Sequence, residues 1–390
     1  MIKLVPGTGP PMTNRDGNHG RPHAWAGPLG LMLLALALSL AALAADDWIM
    51  FAGQQDGPAG PGQTDLATFA HRKYPGIYWS EVYYHEMSFS DETMITVQVG
   101  INIKDATIIF AYCRPGQKPF TEFLVVDQGE ARFDSQGFGL TIGDNRVWLA
   151  GDKYHLSLSY GKVQANITYD ILGPSVSFGD GRLRYPDGKS FTCYSFPITW
   201  ARVRGRVVVD GKAHDLTGFG SMNHDVGVLS PLYTPANWQA FWFYGPDHAL
   251  MVADFFTNPE FGRVLCQRLI FVDKDGVFSS TKFPMQWDDW VDAPGIPFRY
   301  PRHYSLAAEA GGARLEAEIK GRDVLLLEDL FSNLPAVLRP IAKQITRNGW
   351  TVDYWSDYDL TYTRGGKTDT FHGRGITRWT DLEKEKNSSK

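Results

Sequence analysis

Between about residue 74 and residue 380 the sequence is a series of short β-like segments separated by turn signals, and this pattern constrains the fold more than any other feature. Met94 to Ile103 alternates in character, for example, and later segments are separated by Arg114-Pro115-Gly116 and Gly143-Asp144-Asn145. The chain is also rich in Trp (12), Tyr (17) and Phe (23), and in Gly (40) and Pro (23). Short, evenly spaced strands with such turns predict antiparallel β-barrels or sandwiches.

Composition and motifs exclude several functional classes. The chain has 38 Lys and Arg against 43 Asp and Glu, so its net charge is -5 and we expect no nucleic-acid partner. It contains no P-loop, no dinucleotide-binding helix motif and no zinc-protease motif. We therefore expect no cofactor and no metal. Cys113, Cys193 and Cys266 are either three buried apolar residues or one disulfide and a free thiol.

The N-terminus has the features of an export signal. Residues 29–45 carry no charge, follow a flank with three basic residues and end at Ala42-Leu43-Ala44, just before Asp46-Asp47. This arrangement is typical of a secretory signal peptide. The 17 uncharged residues are also at the short limit of a membrane-spanning helix. We expect a periplasmic or secreted protein, or one anchored to a membrane by residues 29–45.

One helix is predicted in the C-terminal half. In Leu334 to Arg347 the apolar residues Val337, Leu338, Ile341 and Ile345 recur at helical spacing, and Asn348-Gly349 can cap the end. Pro340 lies inside this segment and predicts a kink or a later start.

A weak internal repeat suggests two similar β domains. Residues 211–220 (GKAHDLTGFG) and 366–375 (GKTDTFHGRG) share the pattern G-K-x-x-x-x-x-G-x-G, and each follows a β-like segment. Glycine inside a strand indicates a bulge or bend, which barrels need. We predict a signal or anchor over residues 1–45, a flexible linker over 46–73, β domains over 74–235 and 236–380, and a charged tail over 381–390.

The densest group of polar residues follows the first copy of the repeat. Ser221, Asn223, His224 and Asp225 lie within five positions, just after a bent strand. His224 is either a hydrogen-bonded structural residue at a domain junction or a residue of a pocket. Asp225 either caps a turn or lines the same pocket. Met222 is a further candidate for lining it.

The next two segments are aromatic and contain one isolated carboxylate. Alternation places Trp238, Ala240, Trp242 and Tyr244 on one face of their strand. On the following strand it groups Leu250, Val252, Asp254 and Phe256. If these faces point into a barrel, Asp254 lies in an aromatic cavity. The alternatives are that both Trp residues are ordinary core and that Asp254 is paired with backbone or with Arg263 or Arg268.

The order G-x-G-x-x-N-H-D-x-G, then N-W-x-x-F, then an apolar strand ending in Asp254, resembles the tandem-lipocalin superfamily. That superfamily includes carotenoid hydratases, AttH-like proteins and survival-factor-like lipid-binding proteins. The resemblance extends over residues 74–380 and is sharpest over 218–254. It implies two lipocalin-like domains in tandem, a pocket at their junction, and an acid role for Asp254 with His224 nearby. The chain departs from the family pattern at Ser221, Val226, Val252 and Ala253.

The same residues allow a chemical argument. Hydration of an isolated alkene begins with protonation of carbon, and a carboxyl group in an apolar pocket stays protonated near neutral pH. Asp254 is the candidate acid, with His224 and Asn223 assisting. Trp238, Trp242 and Tyr244 can stabilise a cation through their rings. With Asp225 and Met222 they form the candidate substrate-binding set.

We therefore predict an all-β protein with two lipocalin-like antiparallel barrel or sandwich domains and one C-terminal-half helix. Its expected partner is a hydrophobic small molecule, an isoprenoid or another lipid. The first functional hypothesis is a hydratase, cyclase or isomerase without a cofactor. The alternative is a non-catalytic lipid-binding or carrier protein of the cell envelope.

Overall fold

The computed structural model describes residues 56–60, 62–75, 79–185, 190–228, 236–256, 265–330 and 349–382. Within these ranges the chain is almost entirely antiparallel β-structure arranged in two large sheets, so the predicted all-β class is confirmed. Three predicted segments lie outside the described residues. They are the signal or anchor over residues 1–45, the helix at Leu334 to Arg347 and most of the charged tail.

The first sheet contains twelve strands between residues 79 and 228. Eleven follow the order β5-β4-β3-β2-β13-β12-β10-β9-β8-β7-β6, and β11 pairs with β12. The strands are β2 (Trp79–Phe89), β3 (Met94–Asn102), β4 (Asp105–Cys113), β5 (Phe120–Asp127), β6 (Ala131–Phe133), β7 (Gly139–Ile142), β8 (Asn145–Ala150), β9 (Lys153–Tyr160), β10 (Val163–Ile171), β11 (Val176–Arg184), β12 (Phe191–Val209) and β13 (Lys212–Val228). The outermost strands β5 and β6 are joined by a short 3-10 helix, Gln128–Glu130, so the sheet curls into a nearly closed barrel.

The second sheet contains ten strands in the order β1-β17-β16-β15-β14-β22-β21-β20-β19-β18. They are β1 (Gly57–Ala59), β14 (Asn237–Tyr244), β15 (His248–Phe256), β16 (Leu265–Asp273), β17 (Gly276–Ser280), β18 (Met285–Asp292), β19 (Arg299–Ala310), β20 (Ala313–Asp329), β21 (Trp350–Arg364) and β22 (Lys367–Asp381). The chain passes from the first sheet to the second between Val228 and Asn237.

Three apolar cores hold this arrangement together. The interior face of each sheet encloses a core of its own, including Tyr83 and Met87 in the first sheet and Phe241 and Tyr304 in the second. A third core, which we call the seam, joins the two outer faces. Its buried apolar residues are Tyr84, Met94, Cys113, Phe178, Leu183, Tyr185, Phe196, Trp200, Ala240, Trp242, Tyr244, Ala249, Met251, Phe255, Cys266, Ile270, Val272, Val277, Leu325, Trp355 and Ile376.

Both copies of the internal repeat form the same hairpin. The turn between β12 and β13 is Asp210-Gly211, and the turn between β21 and β22 is Gly365-Gly366. All four residues have positive φ, between 47° and 80°, which is the backbone of the tight turns that suit the twist of a hairpin. The second strand of the hairpin then pairs with β2 in the first copy and with β14 in the second.

The segment before β2 is not a flexible linker in its described part. Gly57–Ala59 (β1) pairs with β17 of the second sheet. Helix α1 (Leu66–Phe69) begins at the N-cap Asp65, and the Phe69 ring is fully buried in the core of the first sheet. The expectation of a linker rested on Gly and Pro content, which did not reveal these tertiary contacts. The chain therefore contacts both sheets before it enters β2.

The three cysteines are buried and their thiols are free. This agrees with the first of the two interpretations, in which they are buried apolar residues. Among the described helices, none has the length and apolar character needed to cross a membrane.

Candidate functional site

A cavity of about 320 Å³ lies in the seam. This volume is at the lower end of the range typical for small-molecule sites, about 300–1,000 Å³. Strands of both sheets contribute its walls, which combine seven aromatic side chains, five other apolar ones and six polar or charged ones. The lining residues are Tyr84, Phe178, Tyr194, Phe196, Asn223, Asp225, Trp238, Gln239, Ala240, Trp242, Met251, Val252, Ala253, Asp254, Phe255, Arg268, Ile270 and Arg378.

The first polar group in this cavity is Asp225 on β13. Its Oδ2 accepts a 2.8 Å hydrogen bond from Asn223 Nδ2, whereas its buried Oδ1 has no partner among the described residues. Burial raises the pKa of Asp225 to about 6, against the opposing effects of Arg268 and the Asn223 hydrogen bond. Asp225 can therefore gain or lose a proton near neutral pH.

Arg268 is the cationic partner of this region. Its guanidinium lies 3.8 Å from the centre of the Tyr194 ring, and its buried Nε has no hydrogen-bond partner in the described chain. The residue is 8% exposed and comes from β16 of the second sheet. Stacking on an aromatic face stabilises such a cation, and its unused donor is available to a ligand.

Asp254 borders the cavity, but its side chain belongs to the other face of its strand. β14 pairs with β15 so that Asp254 lies opposite Gln239 and Phe255 lies opposite Trp238. Asp254 therefore shares the interior face of the second sheet with Gln239, which donates a 2.8 Å hydrogen bond to Asp254 Oδ2. Burial raises the pKa of Asp254 to about 8, against the effects of Gln239 and Arg268. The carboxyl group is thus held protonated at neutral pH.

The two Trp residues lie on the opposite face from Asp254. Trp242 belongs to the buried core of the seam, Trp238 packs against it, and both line the cavity. Within each strand, the residues grouped by alternation do share a face. The set that contains Trp238 and the set that contains Asp254, however, lie on opposite faces of the sheet. Which residues of two neighbouring strands share a face depends on the pairing register. Alternation within one strand does not reveal that register.

His224 points into the interior of the first sheet and does not line the cavity. Its Nδ1 donates to the Thr68 carbonyl at 2.7 Å, and its Nε2 lies 2.7 Å from Glu81 Oε1. Burial would raise the pKa of Glu81, but hydrogen bonds from His224 and His71 outweigh it and lower the pKa to about 2. Both ring nitrogens of His224 thus face acceptors, and the ring forms a buried hydrogen-bonded pair with the Glu81 carboxylate.

Met222 and Tyr244 also lie away from the cavity walls. Met222 is fully buried in the core of the first sheet. The Tyr244 hydroxyl is 2.6 Å from Ser221 Oγ across the seam. Tyr244 lines a second cavity of about 400 Å³ with Phe219 and Trp355, farther along the seam. Of the predicted residues, the first cavity therefore gathers Asn223, Asp225, Trp238, Trp242 and Asp254.

Sequence reasoning missed a buried charge cluster beside the cavity. Arg378 on β22 donates from Nε and Nη2 to the two carboxyl oxygens of Asp353 on β21, both at 2.7 Å. Its Nη1 donates to the Tyr84 hydroxyl of the first sheet at 2.9 Å. Asp353 is fully buried. The sequence signal that could have revealed this cluster is Asp353, a charged residue at a core position of an aromatic strand.

Glu86 is the second missed residue. It lies two positions after Tyr84 on the same face of β2 and is 1% exposed, and the side chain of Tyr84 is its hydrogen-bonding neighbour. Burial raises its pKa to about 8, although Arg378 opposes the shift. A neutral carboxyl group therefore lies in the seam at neutral pH.

We expect Glu86→Gln to stabilise the protein at pH 8 by on the order of 3 kcal/mol while leaving stability at pH 4 nearly unchanged. The folded state keeps the Glu86 proton up to about pH 8, whereas the unfolded chain releases it near pH 4.5. Stability of the wild type therefore falls as pH rises between these values, and the variant lacks this loss. Denaturant titrations at pH 4, 6 and 8 measure it.

The control for this experiment is Glu130→Gln, which changes an exposed carboxylate in the same way. Its effect is expected to stay within about 0.5 kcal/mol at every pH. Parallel stability curves for wild type and Glu86→Gln between pH 4 and 8 would show that Glu86 is ionised in the folded protein.

In the described ranges no group of three or more His, Cys, Asp or Glu side chains could hold a metal ion. The arrangement offers carboxyl groups, arginines and aromatic faces. It can therefore perform proton transfer and bind apolar molecules through its own side chains.

Comparison with solved structures supports the fold. CghA in complex with Sch210972 superposes with a TM-score of 0.60 over 86% of this chain and 97% of its own, at 12% identity. An AttH-like protein from Nitrosomonas europaea gives 0.54 over 84% and 99%, at 13% identity. Kievitone hydratase from Nectria haematococca gives 0.51 over 85% and 98%, at 13% identity. The resemblance to the tandem-lipocalin superfamily is confirmed at the level of the fold.

No protein-family model and no curated protein sequence matches the chain. Identities of 12–13% carry the fold and not the activity, so function has to be argued from the site.

Proposed function

We propose that this protein binds a lipophilic small molecule in the cavity of the seam and catalyses proton-assisted addition of water to, or rearrangement of, one of its double bonds, without a cofactor. The observation that carries the proposal is Asp225, a carboxyl group with one unpartnered, buried oxygen, in a cavity whose walls include seven aromatic rings. A general acid or base works best with a pKa near the operating pH, and the pKa of Asp225 is raised to about 6.

The proposed reaction uses groups that the cavity supplies. A protonated carboxyl group gives its proton to one alkene carbon, and the other carbon becomes cationic. The oxygen of a water molecule then bonds to that carbon, and the carboxylate takes back a proton from the water. The faces of Trp238 and Trp242 stabilise the cation by about 0.5–2 kcal/mol each.

We assign the contact with the ligand to Asp225, because its side chain is on the seam face of its strand. Asp254 is the second carboxyl group that can supply a proton, since it borders the cavity and keeps its proton at neutral pH. His224 has a structural role in this proposal, because it is bonded to Glu81 and Thr68 away from the cavity.

A carrier without catalysis is the second candidate. The observation in its favour is that Gln239 already donates a hydrogen bond to one Asp254 oxygen, which occupies part of that carboxyl group. Structural neighbours named for a hydratase and for a complex with Sch210972 are compatible with both candidates. Isoprenoid chemistry, export and membrane association through residues 29–45 remain predictions from the sequence.

We expect Asp225→Asn to slow turnover by about 10²- to 10⁴-fold, the usual contribution of a general acid or base, while leaving ligand binding in place. The measurement is mass spectrometry of apolar molecules extracted from the purified full chain, for wild type, Asp225→Asn and Asp254→Asn in parallel. The enzyme proposal expects wild type to carry a product and Asp225→Asn to carry its precursor, lighter by one water or of equal mass.

A cavity-filling variant serves as the binding control. Ala253→Phe places a ring in the cavity, whereas Ala150→Phe adds the same ring on an exposed strand end. Only the first is expected to purify without the ligand. If wild type and both Asn variants carry the same unmodified molecule, the enzyme proposal fails and the carrier function remains. If Ala253→Phe still carries apolar molecules, their binding site lies outside this cavity.

A further inference from the structure

Arg268 is a buried cation in the cavity wall, and one of its donors is unused. The side chain is 8% exposed, and its buried Nε donates no hydrogen bond to a described residue. The guanidinium lies 3.8 Å from the centre of the Tyr194 ring, and the Tyr194 side chain is its hydrogen-bonding neighbour. Asp225 and Asp254 act on this cation through their charge alone, without a hydrogen bond. The guanidinium is thus held by aromatic contact and not by an anion.

The other charges of the cavity balance one another without Arg268. Arg378 is paired with Asp353, which is fully buried. Burial raises the pKa of Asp254 to about 8, so this group is neutral at pH 7. Burial raises the pKa of Asp225 to about 6, and in the protonated form that the proposed reaction requires it is neutral as well. When both carboxyl groups hold their protons, the charge of Arg268 has no balancing anion among these groups.

The remaining titratable neighbours of this cation do not supply the missing charge. Burial raises the pKa of Tyr194 and of Cys266 to about 12, and it also raises the pKa of Tyr185. These three groups are therefore neutral between pH 6 and 8. His224, which acts on Asp225 by charge, points into the interior of the first sheet. A negative charge beside the guanidinium has to come from the ligand.

We propose that the cavity takes lipophilic molecules that carry one carboxylate, and that Arg268 is the specificity-determining residue that binds this group. The proposal rests on the proposed function, because it uses the same cavity as the binding site. A planar guanidinium pairs with a planar carboxylate through charge-assisted hydrogen bonds, to which Nε contributes a donor. A phosphate monoester carries about two negative charges, which is more than one arginine balances.

Such a ligand also keeps Asp225 in its protonated state. A negative charge close to a carboxyl group disfavours ionisation of that group. Binding of the ligand carboxylate and retention of the Asp225 proton therefore favour each other, and the bound ligand maintains the acid that the reaction uses. Above about pH 6 the ionised Asp225 competes with the ligand for Arg268.

The test uses probes with one ring system and different head groups, namely 2-naphthoate, the neutral 2-naphthamide and 2-naphthyl phosphate. Isothermal titration calorimetry measures their affinities for the full chain at pH 6 and 7.5. Arg268→Met removes the cation and keeps an unbranched side chain, whereas Arg268→Lys keeps the charge. Arg299→Met is the control, since it removes an arginine of the same sheet that is 59% exposed. Thermal unfolding confirms that each variant is folded.

We expect Arg268→Met to weaken binding of 2-naphthoate at pH 6 by about ten- to a hundredfold, the effect of a hydrogen bond to a charged group. Binding of 2-naphthamide should change less than about threefold. Arg268→Lys should recover part of the loss, and Arg299→Met should match wild type. In wild type the affinity for 2-naphthoate should fall about tenfold from pH 6 to 7.5, as Asp225 ionises, whereas in Asp225→Asn it should stay nearly constant.

Other results separate failure of the inference from failure of the cavity itself. Equal effects of Arg268→Met on 2-naphthoate and 2-naphthamide would overturn the role of Arg268 while the cavity stands. If wild type binds 2-naphthoate no more tightly than 2-naphthamide at pH 6, the inference fails even where a variant does not fold. Tighter binding of 2-naphthyl phosphate than of 2-naphthoate would overturn the choice of a carboxylate. If wild type binds none of the probes, the inference fails together with the proposed binding site.

Discussion

Replacing His224 with alanine is expected to lower the free energy of unfolding at pH 7 by about 3–5 kcal/mol, because it removes the hydrogen-bond partner of a buried charge on Glu81. The Glu81 carboxyl group is fully buried, and its lowered pKa of about 2 means that it is ionised at pH 7. Without the His224 ring, the histidine that still contacts the Glu81 carboxylate is His71, whose side chain is 31% exposed. Denaturant unfolding of the full chain, followed by tryptophan fluorescence, measures the loss.

The pH dependence provides a second observation on the same pair. Because the pKa of Glu81 is lower in the folded protein than in the unfolded chain, its stabilising contribution is present above about pH 4.5. That contribution is lost as pH falls through about 2. His155→Ala is the matched control, since this histidine is half-buried on β9, is in hydrogen-bond contact with Thr168 and stacks on Trp148, with no carboxylate as hydrogen-bond partner among the described residues. Equal losses of stability in the two variants would contradict a structural role for the contact between His224 and Glu81.

Replacing Arg378 with methionine is expected to cost a similar amount, about 3–5 kcal/mol, because it leaves Asp353 as an unpaired charge in the seam. Asp353 is fully buried, and Arg378 is the cation that contacts it in the described chain. The double variant Arg378→Met with Asp353→Leu should recover most of the loss, since it removes both charges and fills the space with apolar atoms. Denaturant unfolding of the two variants tests this.

Arg374→Met provides the comparison on the same strand. Arg374 forms ion pairs with Glu92 and Asp357, but its side chain is 45% exposed. Water screens such a pair, and its removal is expected to cost no more than about 1 kcal/mol. If Arg374→Met and Arg378→Met cost the same, or if the double variant is no more stable than Arg378→Met alone, burial of the Arg378 pair is not what stabilises the seam.

Much of the fold could be predicted from the sequence because its signals are local. The alternation in β3, the turn residues and the repeated hairpin each depend on residues that are close in the chain. The two copies of the repeat begin at Gly211 and Gly366, which lie in the two hairpin turns, where few residues other than Gly, Asn and Asp adopt positive φ readily. The same signals failed over residues 56–75, where the structure depends on distant partners.

The composition of the cavity could be predicted only in part, for the same physical reason. Asn223 and Asp225 were found because polar residues are dense at that point of the sequence, and both line the cavity because they alternate along one strand and share a face. The relation of Asp254 to Trp238 depends on the pairing register of β14 and β15, and a shift of one residue exchanges the faces.

The cluster around Arg378 was not predicted, because it requires contacts at long sequence separation. Tyr84 and Arg378 are separated by 294 positions, and Arg378 and Asp353 by 25. A single sequence shows a charged residue in a core strand but not its partner.

The pairing of β1 with β17 has a consequence for how the chain folds during synthesis. Gly57–Ala59 leaves the ribosome well before its partner residues 277–279 are made. At about 5–20 residues per second, the ribosome needs roughly 10–40 s to synthesise the intervening chain. The first sheet can therefore form while the edge of the second is still missing. A chain that begins at residue 74 lacks β1 and leaves the edge of β17 unpaired. An unpaired strand edge promotes aggregation with other chains.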